Sequence, residues 1–304
     1  HKSYRGNYND KQFIHEYAQE LRKRLKDVGW NDRTTLIVDR GINGKNNFDL
    51  LLEHQFDYIG GLIEREFPKY FGIPKSELRK KYNHKREEKP ALNIKYTSMI
   101  EEIYNRKHKI IIFFNQENYD DKVERLTFDL KMYQKQCEEK LSEFKREIAE
   151  NTFQSNWNNV DKINKHLKEM NKKMFPLLSL KIKSYRFELV WKISLNDKAI
   201  KQYIDHFGKH VLFTNKLDLT DKKILDLFFN KDRIEKNFQF LKSNAYTNRF
   251  IVLGPMLHSK DERIISHVYT CILALQLYQI TRNRLKKHKI DFSTQRALEE
   301  LEEI

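Results

Sequence analysis

Residues 33–62 read RTTLIVDRGINGKNNFDLLLEHQFDYIGGL, and the order of apolar and polar residues in this stretch decides the fold class. Residues 34–38 form a short β-branched run closed by Asp39-Arg40-Gly41, the pattern of a buried strand that ends in a turn. Residues 46–54 have the character of a short helix, and FDYIGGL (56–62) is strand-like again. Strand, helix and strand joined by so little chain predict a parallel pair, and with it an α/β core.

Upstream, residues 11–27 place Phe13, Tyr17, Leu21 and Leu25 four apart among charges, which predicts an amphipathic helix. Downstream the character changes over residues 64–185. A basic stretch, KSELRKKYNHKREEKP (75–90), leads to a strand-like KIIIFFN (109–115) and two long charged segments. Leu126, Leu130, Tyr133, Cys137, Leu141, Phe144 and Ile148 recur every three or four residues in the first, and Val160, Ile163, Leu167, Met170 and Met174 in the second. These stripes predict a helical hairpin over about 120–175 with an apolar seam. Such a hairpin serves either as a dimerising or DNA-gripping arm or as a pair packed on itself with its charges in water, and the second reading is preferred.

A second α/β block follows. Residues 186–194 and 209–215 are strand-like with a short helix between them, and residues 220–242 form a helix capped by Thr220 or Asp221. A strand at 249–253 and an apolar helix at 266–280 complete it. The expected organisation is a first core part (1–63), a mainly α-helical insertion (64–185), a second core part (186–285) and a charged C-terminal helix or tail (286–304).

Composition restricts the function classes. With 33% charged residues against about 25% in ordinary domains, and only 9 Gly and 5 Pro in 304 residues, long helices with few tight turns should follow. A content of 39% hydrophobic residues, with 20 Phe and 15 Tyr, excludes a disordered chain. No unbroken run of about 18 apolar residues is found, so no membrane span and no membrane partner are expected. Cys137 and Cys271 stand far apart, which excludes a disulfide framework or a thiolate zinc cluster and suits a cytoplasmic compartment. A formal charge of +15 fits a polyanionic partner such as nucleic acid, although the Lys, Asn and Ile that an AT-rich genome writes would raise it as well.

Two carboxylates stand out. Asp39 closes the first strand, at the end of an open α/β sheet where ligands and catalytic groups gather, although an Asp before Arg-Gly also serves as a turn residue. Glu235 lies in LFFNKDRIEKNFQFLKS (227–243). At roughly 100° per residue, Phe228, Lys231, Glu235 and Lys242 share an arc of about 60° on one helix face, beside the apolar arc of Leu227, Ile234, Phe238 and Leu241. By itself this is also the pattern of a solvated Lys-Glu pair worth a few tenths of a kcal/mol.

The spacing Phe228-x2-Lys231-x3-Glu235-x6-Lys242 resembles the Tyr-x2-Arg-x3-Glu-x6-Lys signature of DDE-class transposases of the insertion-sequence-four group, with two of the four letters identical and two conservative. LIVDRGINGKNNFDLL (36–51) resembles that family's strand bearing the second catalytic Asp. SYRGNYNDKQF (3–13), VLFTNK (211–216) and GPMLHSKDERIISHVYTCILALQL (254–277) are similar to its flanking segments. The resemblance covers residues 1–62 and 186–280, and these transposases carry a large insertion where 64–185 falls.

The resemblance implies a ribonuclease H-like mixed sheet and two divalent metals, Mg²⁺ or Mn²⁺, held by two Asp and one Glu, with Asp39 and Glu235 as two of these ligands and as catalytic residues. It implies duplex DNA, the transposon ends, as partner, a homodimer in the assembled complex, and a prokaryotic, nucleoid-associated setting. Lys231 and Lys242 would bind phosphates near the cleaved end, more than the Lys-rich insertion does. Phe228 keeps the aromatic body of the signature Tyr without its hydroxyl, and Arg233, which projects to the far side of the helix, ranks lower as a DNA contact. The family's first Asp precedes the Gly-Asn stretch, and no matching Asp stands upstream of it here. The expectation is therefore the C-terminal part of a transposase, inactive by itself. A catalytically inactive DNA-binding remnant and an interaction protein built on the hairpin are the alternatives.

Overall fold

The computed structural model describes residues 10–86, 90–150, 159–185, 188–231 and 260–290, together with Thr294, Arg296, Ala297 and Glu300. The chain is a mixed α/β protein that divides into two compact units, residues 1–59 with 216–304 and residues 60–215.

The first unit opens with helix α1 (Asp10–Asp27) and strand β1 (Thr34–Ile37), then helix α2 (Lys45–Glu53) and strand β2 (Phe56–Gly61). β1 and β2 pair in parallel, Thr34 opposite Phe56 through Ile37 opposite Ile59, as the sequence predicts. The buried face of α1 is not the stripe read from the sequence. Ile14, Ala18 and Arg22 are buried, while Tyr17 is 38% exposed and Leu21 and Leu25 are only half-buried. The cause is Arg22. Its guanidinium donates to the carbonyls of Asn31 (2.7 Å) and Asp32 (2.9 Å) and to the Gln55 side chain, tying α1 to the turns before β1 and β2.

Two further helices of this unit are described. Helix α7 (Asp221–Asn230) is capped by Thr220, whose hydroxyl accepts the Lys223 N–H, and it buries Ile224, Leu225 and Phe229. The C-terminal helix α8 (Asp261–Lys287) qualifies the expectation that no segment has the length and composition of a membrane span. An 18-residue window of it reaches a mean hydropathy of 1.3, so by length and composition it is long and apolar enough to cross a membrane. No Asp, Glu, Lys or Arg stands between Ile264 and Thr281, and the scattered Ser, Thr and Gln that break the apolar run cost little in hydropathy.

The second unit holds helix α3 (Pro68–Phe71), strands β3 (Lys80–His84), β4 (Leu92–Ile103) and β5 (Arg106–Asn115), helices α4 (Gln116–Glu150) and α5 (Val160–Met170), strands β6 (Leu178–Tyr185) and β7 (Glu188–Leu195), helix α6 (Asp197–Ile204) and strand β8 (Lys209–Thr214). Antiparallel pairing runs β8-β5-β4-β3, and β6 and β7 form a separate antiparallel ribbon. The insertion thus carries β3, β4 and β6 besides the helices expected of it.

The seam of α4 is buried from Leu126 to Ile148, and it packs with Ile163 and Leu167 of α5, with Met174, Leu177 and Leu178, and with Leu189 of β7. Tyr133 donates its hydroxyl to the Leu167 carbonyl at 2.5 Å, which fixes one helix along the other. Burial raises the Tyr133 and Cys137 side-chain pKa values, so both stay neutral. The hairpin is therefore packed on itself and on the ribbon, and Met170, 37% exposed, falls off the seam.

Candidate active site

Asp39 is placed by the β1–β2 ladder. Val38 extends the pairing by donating its N–H to Ile59 O at 2.9 Å, and Asp39 is the next residue, at the carboxyl end of the parallel pair. Its backbone is extended, and its side chain caps a short 3-10 turn, Arg40–Ile42, with Oδ1 accepting the Arg40 N–H at 2.7 Å. The turn is anchored from below, since Ile42 and Asn43 are buried and Asn47 of α2 donates its side-chain N–H to Ile42 O at 2.8 Å. The carboxylate itself is exposed, and among the described residues its Oδ2 makes no hydrogen bond.

The turn reading and the ligand reading of Asp39 are thus compatible. One oxygen closes the turn and holds the side chain in one orientation, and the other faces water. An exposed, oriented carboxylate oxygen is the donor type that a hard divalent cation takes.

On α7 the structure brings together the first two letters of the spaced pattern. The Lys231 N–H donates to Phe228 O at 3.2 Å, and the Lys231 ammonium lies 4.9 Å from the centroid of the Phe228 ring. Phe228 in turn meets Phe229 edge-on, centroids 5.6 Å apart, and Phe229 is buried. The aromatic ring therefore acts as a shelf between the core and a half-exposed cation, a contact worth about 0.5–1 kcal/mol at such a site. Arg233, Glu235 and Lys242 lie outside the described residues, as do the strand read at 249–253 and the helix positions from 232 to 242. Among the described residues no three His, Cys, Asp or Glu side chains gather as a metal would need.

One acid in this unit escaped the sequence reading. Asp57 of β2 is 4% exposed and receives Arg33 Nε at 2.7 Å on Oδ1 and Lys216 Nζ at 3.8 Å on Oδ2. Asp57 lies opposite Thr35, four residues before Asp39. At about 3.3 Å per residue that is roughly 13 Å along the ladder. Two metals about 3.5–4 Å apart could not be bridged across that distance, so Asp57 is a structural acid that joins the segments before β1 and after β8. Its only signal in the sequence is a charge inside an otherwise apolar strand.

Comparison of the chain with protein-family models, with curated proteins and with solved structures finds no match.

Proposed function

We propose that the chain belongs to a DDE-class transposase of the insertion-sequence-four group, with a ribonuclease H-like core interrupted by the insertion at residues 64–185. It would cut and join transposon ends by metal-dependent phosphoryl transfer. The observation that carries the reading is Asp39, a fixed and exposed carboxylate at the carboxyl end of a parallel strand, in the same discontinuous unit as α7 and the segment that leads to Glu235.

In this reading Asp39 and Glu235 are two carboxylate ligands of a divalent pair, Mg²⁺ or Mn²⁺. When bound, such ions activate a water or a 3′-hydroxyl and stabilise the leaving oxygen of the phosphodiester. The chain's own groups bind and orient. Lys231, set on the Phe228 ring, and Lys242 hold phosphates as point charges, and the Asp39 turn keeps one oxygen aimed outward without a rotamer search on binding.

The test is cleavage of transposon-end DNA in Mg²⁺ by a protein extended upstream to include the further Asp that the resemblance implies. Asp39→Asn and Glu235→Gln should each abolish cutting while sparing DNA binding. Undiminished cleavage by either variant would sink the assignment.

A further inference from the structure

The β6–β7 ribbon has two unlike faces. Leu178, Leu180, Ile182 and Leu189, Trp191, Ile193 turn inward and pack on the α4–α5 core. The outward face carries Ser179 opposite Ser194, Lys181 opposite Lys192, and Lys183 opposite Val190, with one exposed acid, Glu188, two residues from Val190 on the same face and diagonal to Lys183. All three lysines are exposed, and among the described residues none makes a hydrogen bond or an ion pair.

Surface charges elsewhere in the unit are treated both ways: Lys81 of β3 stands opposite Lys95 of β4, both exposed, while others are paired. On the outer face of α4, Lys135 pairs with Glu139 and Lys140 with Glu143, and at the far end of β4 Glu101 takes both Lys69 and the Tyr70 hydroxyl. On the ribbon, two lysines stand directly across an antiparallel pair, an arrangement that costs stability. Lys183 is two residues along the same strand, about 7 Å away. The backbone spacings of the three lysines are comparable to a Debye length of about 8 Å at physiological salt, so their fields overlap. The inward face holds the display rigid, and Ser179 and Ser194 add hydroxyl donors of the kind that meet phosphate oxygens. A two-stranded ribbon also has the width that a DNA major groove admits.

We propose that the outward face of β6–β7 is a contact surface for the phosphate backbone of duplex DNA, with Lys181, Lys192 and Lys183 each neutralising a phosphate. It deepens the transposase reading and takes from it only the choice of DNA, because the display is a polyanion site whether or not the chain cuts. It adds a second basic surface, in the other unit, to Lys231 and Lys242.

The experiment is fluorescence anisotropy of a labelled duplex against the whole chain, without divalent metal, from 50 to 300 mM salt. K181Q/K192Q should flatten the slope of log K against log salt by about 1.8, and adding K183Q by about 0.9 more, at roughly 0.9 per phosphate contact. K181R/K192R should keep the wild-type slope. Thermal melting of K181Q/K192Q should be unchanged or higher, since a repulsion has been removed, which separates lost binding from lost folding. An unchanged slope in the triple variant, or an equal loss in the charge-matched K23Q/K26Q on α1, would overturn the proposal. So would vesicles of phosphatidylserine binding wild type more tightly than the duplex, with the same lysines required. Cleavage plays no part in this readout, so a failed transposase assay leaves it standing and a failed salt slope leaves the carboxylate site standing.

Discussion

Leu141→Ala probes the centre of the second unit. Leu141 is fully buried midway along the α4 seam, among Tyr133, Cys137 and Phe144. Truncation removes three carbons from a site that two helices and a ribbon close on several sides, so collapse around the cavity is limited and the cost should be about 3–4 kcal/mol, within the usual span of 2–5 for such sites. Trp191 of β7 packs against the same cluster and reports its opening. In a W30F/W157F background, urea unfolding followed by Trp191 fluorescence isolates that unit. With a slope of about 2 kcal/mol/M, the midpoint should fall by about 1.5–2 M. Met132→Ala, on the outer face of the same helix and 44% exposed, should change the midpoint by less than about 0.3 M. Equal small shifts in both variants would mean that α4 does not pack along the seam, and the self-packed reading of the hairpin would fall with it.

Three further outcomes follow from individual contacts. His108 is fully buried against Phe213, and burial lowers its pKa below the usual 6.5. The unfolded chain therefore takes up the proton first as pH falls, so stability should be complete above about pH 6.5 and decline below it, and His108→Gln should flatten that dependence in urea titrations at stepped pH. Asp57→Asn should cost about 2 kcal/mol by chemical denaturation, less than the 3–5 of a fully buried pair because Arg33 is half exposed. Gly208→Ala should destabilise by more than about 2 kcal/mol, whereas Gly29→Ala should cost about 1, measured by the same denaturation. Both glycines have positive φ, but a Cβ at Gly208 would sit 2.7 Å from Asn115 O and 2.8 Å from Tyr119 Cβ, and one at Gly29 meets nothing within 4 Å.

The parts of the fold that the sequence announces are those with a clean period. β2 and the α4 seam each bury one run or one face, so apolar spacing alone locates them, whereas β1, read as a buried strand, is only half-buried with Ile37 37% exposed. β3 and β4 were hidden because their outward positions, Lys81, Asn83, Asn93 and Lys95, are polar and make half-buried strands look like a basic loop. The true inner face of α1 was missed because its key residue is a buried Arg, whose value comes from the carbonyls of Asn31 and Asp32 in the following turn and from the Gln55 side chain 33 positions on. Asp57 is of the same kind, an acid whose meaning depends on cations 24 and 159 positions away. Asp39 was legible as a strand-end residue. That it caps a turn with one oxygen and leaves the other outward is a matter of backbone geometry that no spacing encodes.

Mn²⁺ binding followed by electron paramagnetic resonance tests directly, on this chain, the divalent site proposed for Asp39 and Glu235. Wild type should bind Mn²⁺ and release it to excess Mg²⁺. Asp39→Asn and Glu235→Gln should each remove the bound signal, and the double variant should bind no more weakly than either one. Mn²⁺ bound as in wild type by either single variant would rule out a site shared by Asp39 and Glu235.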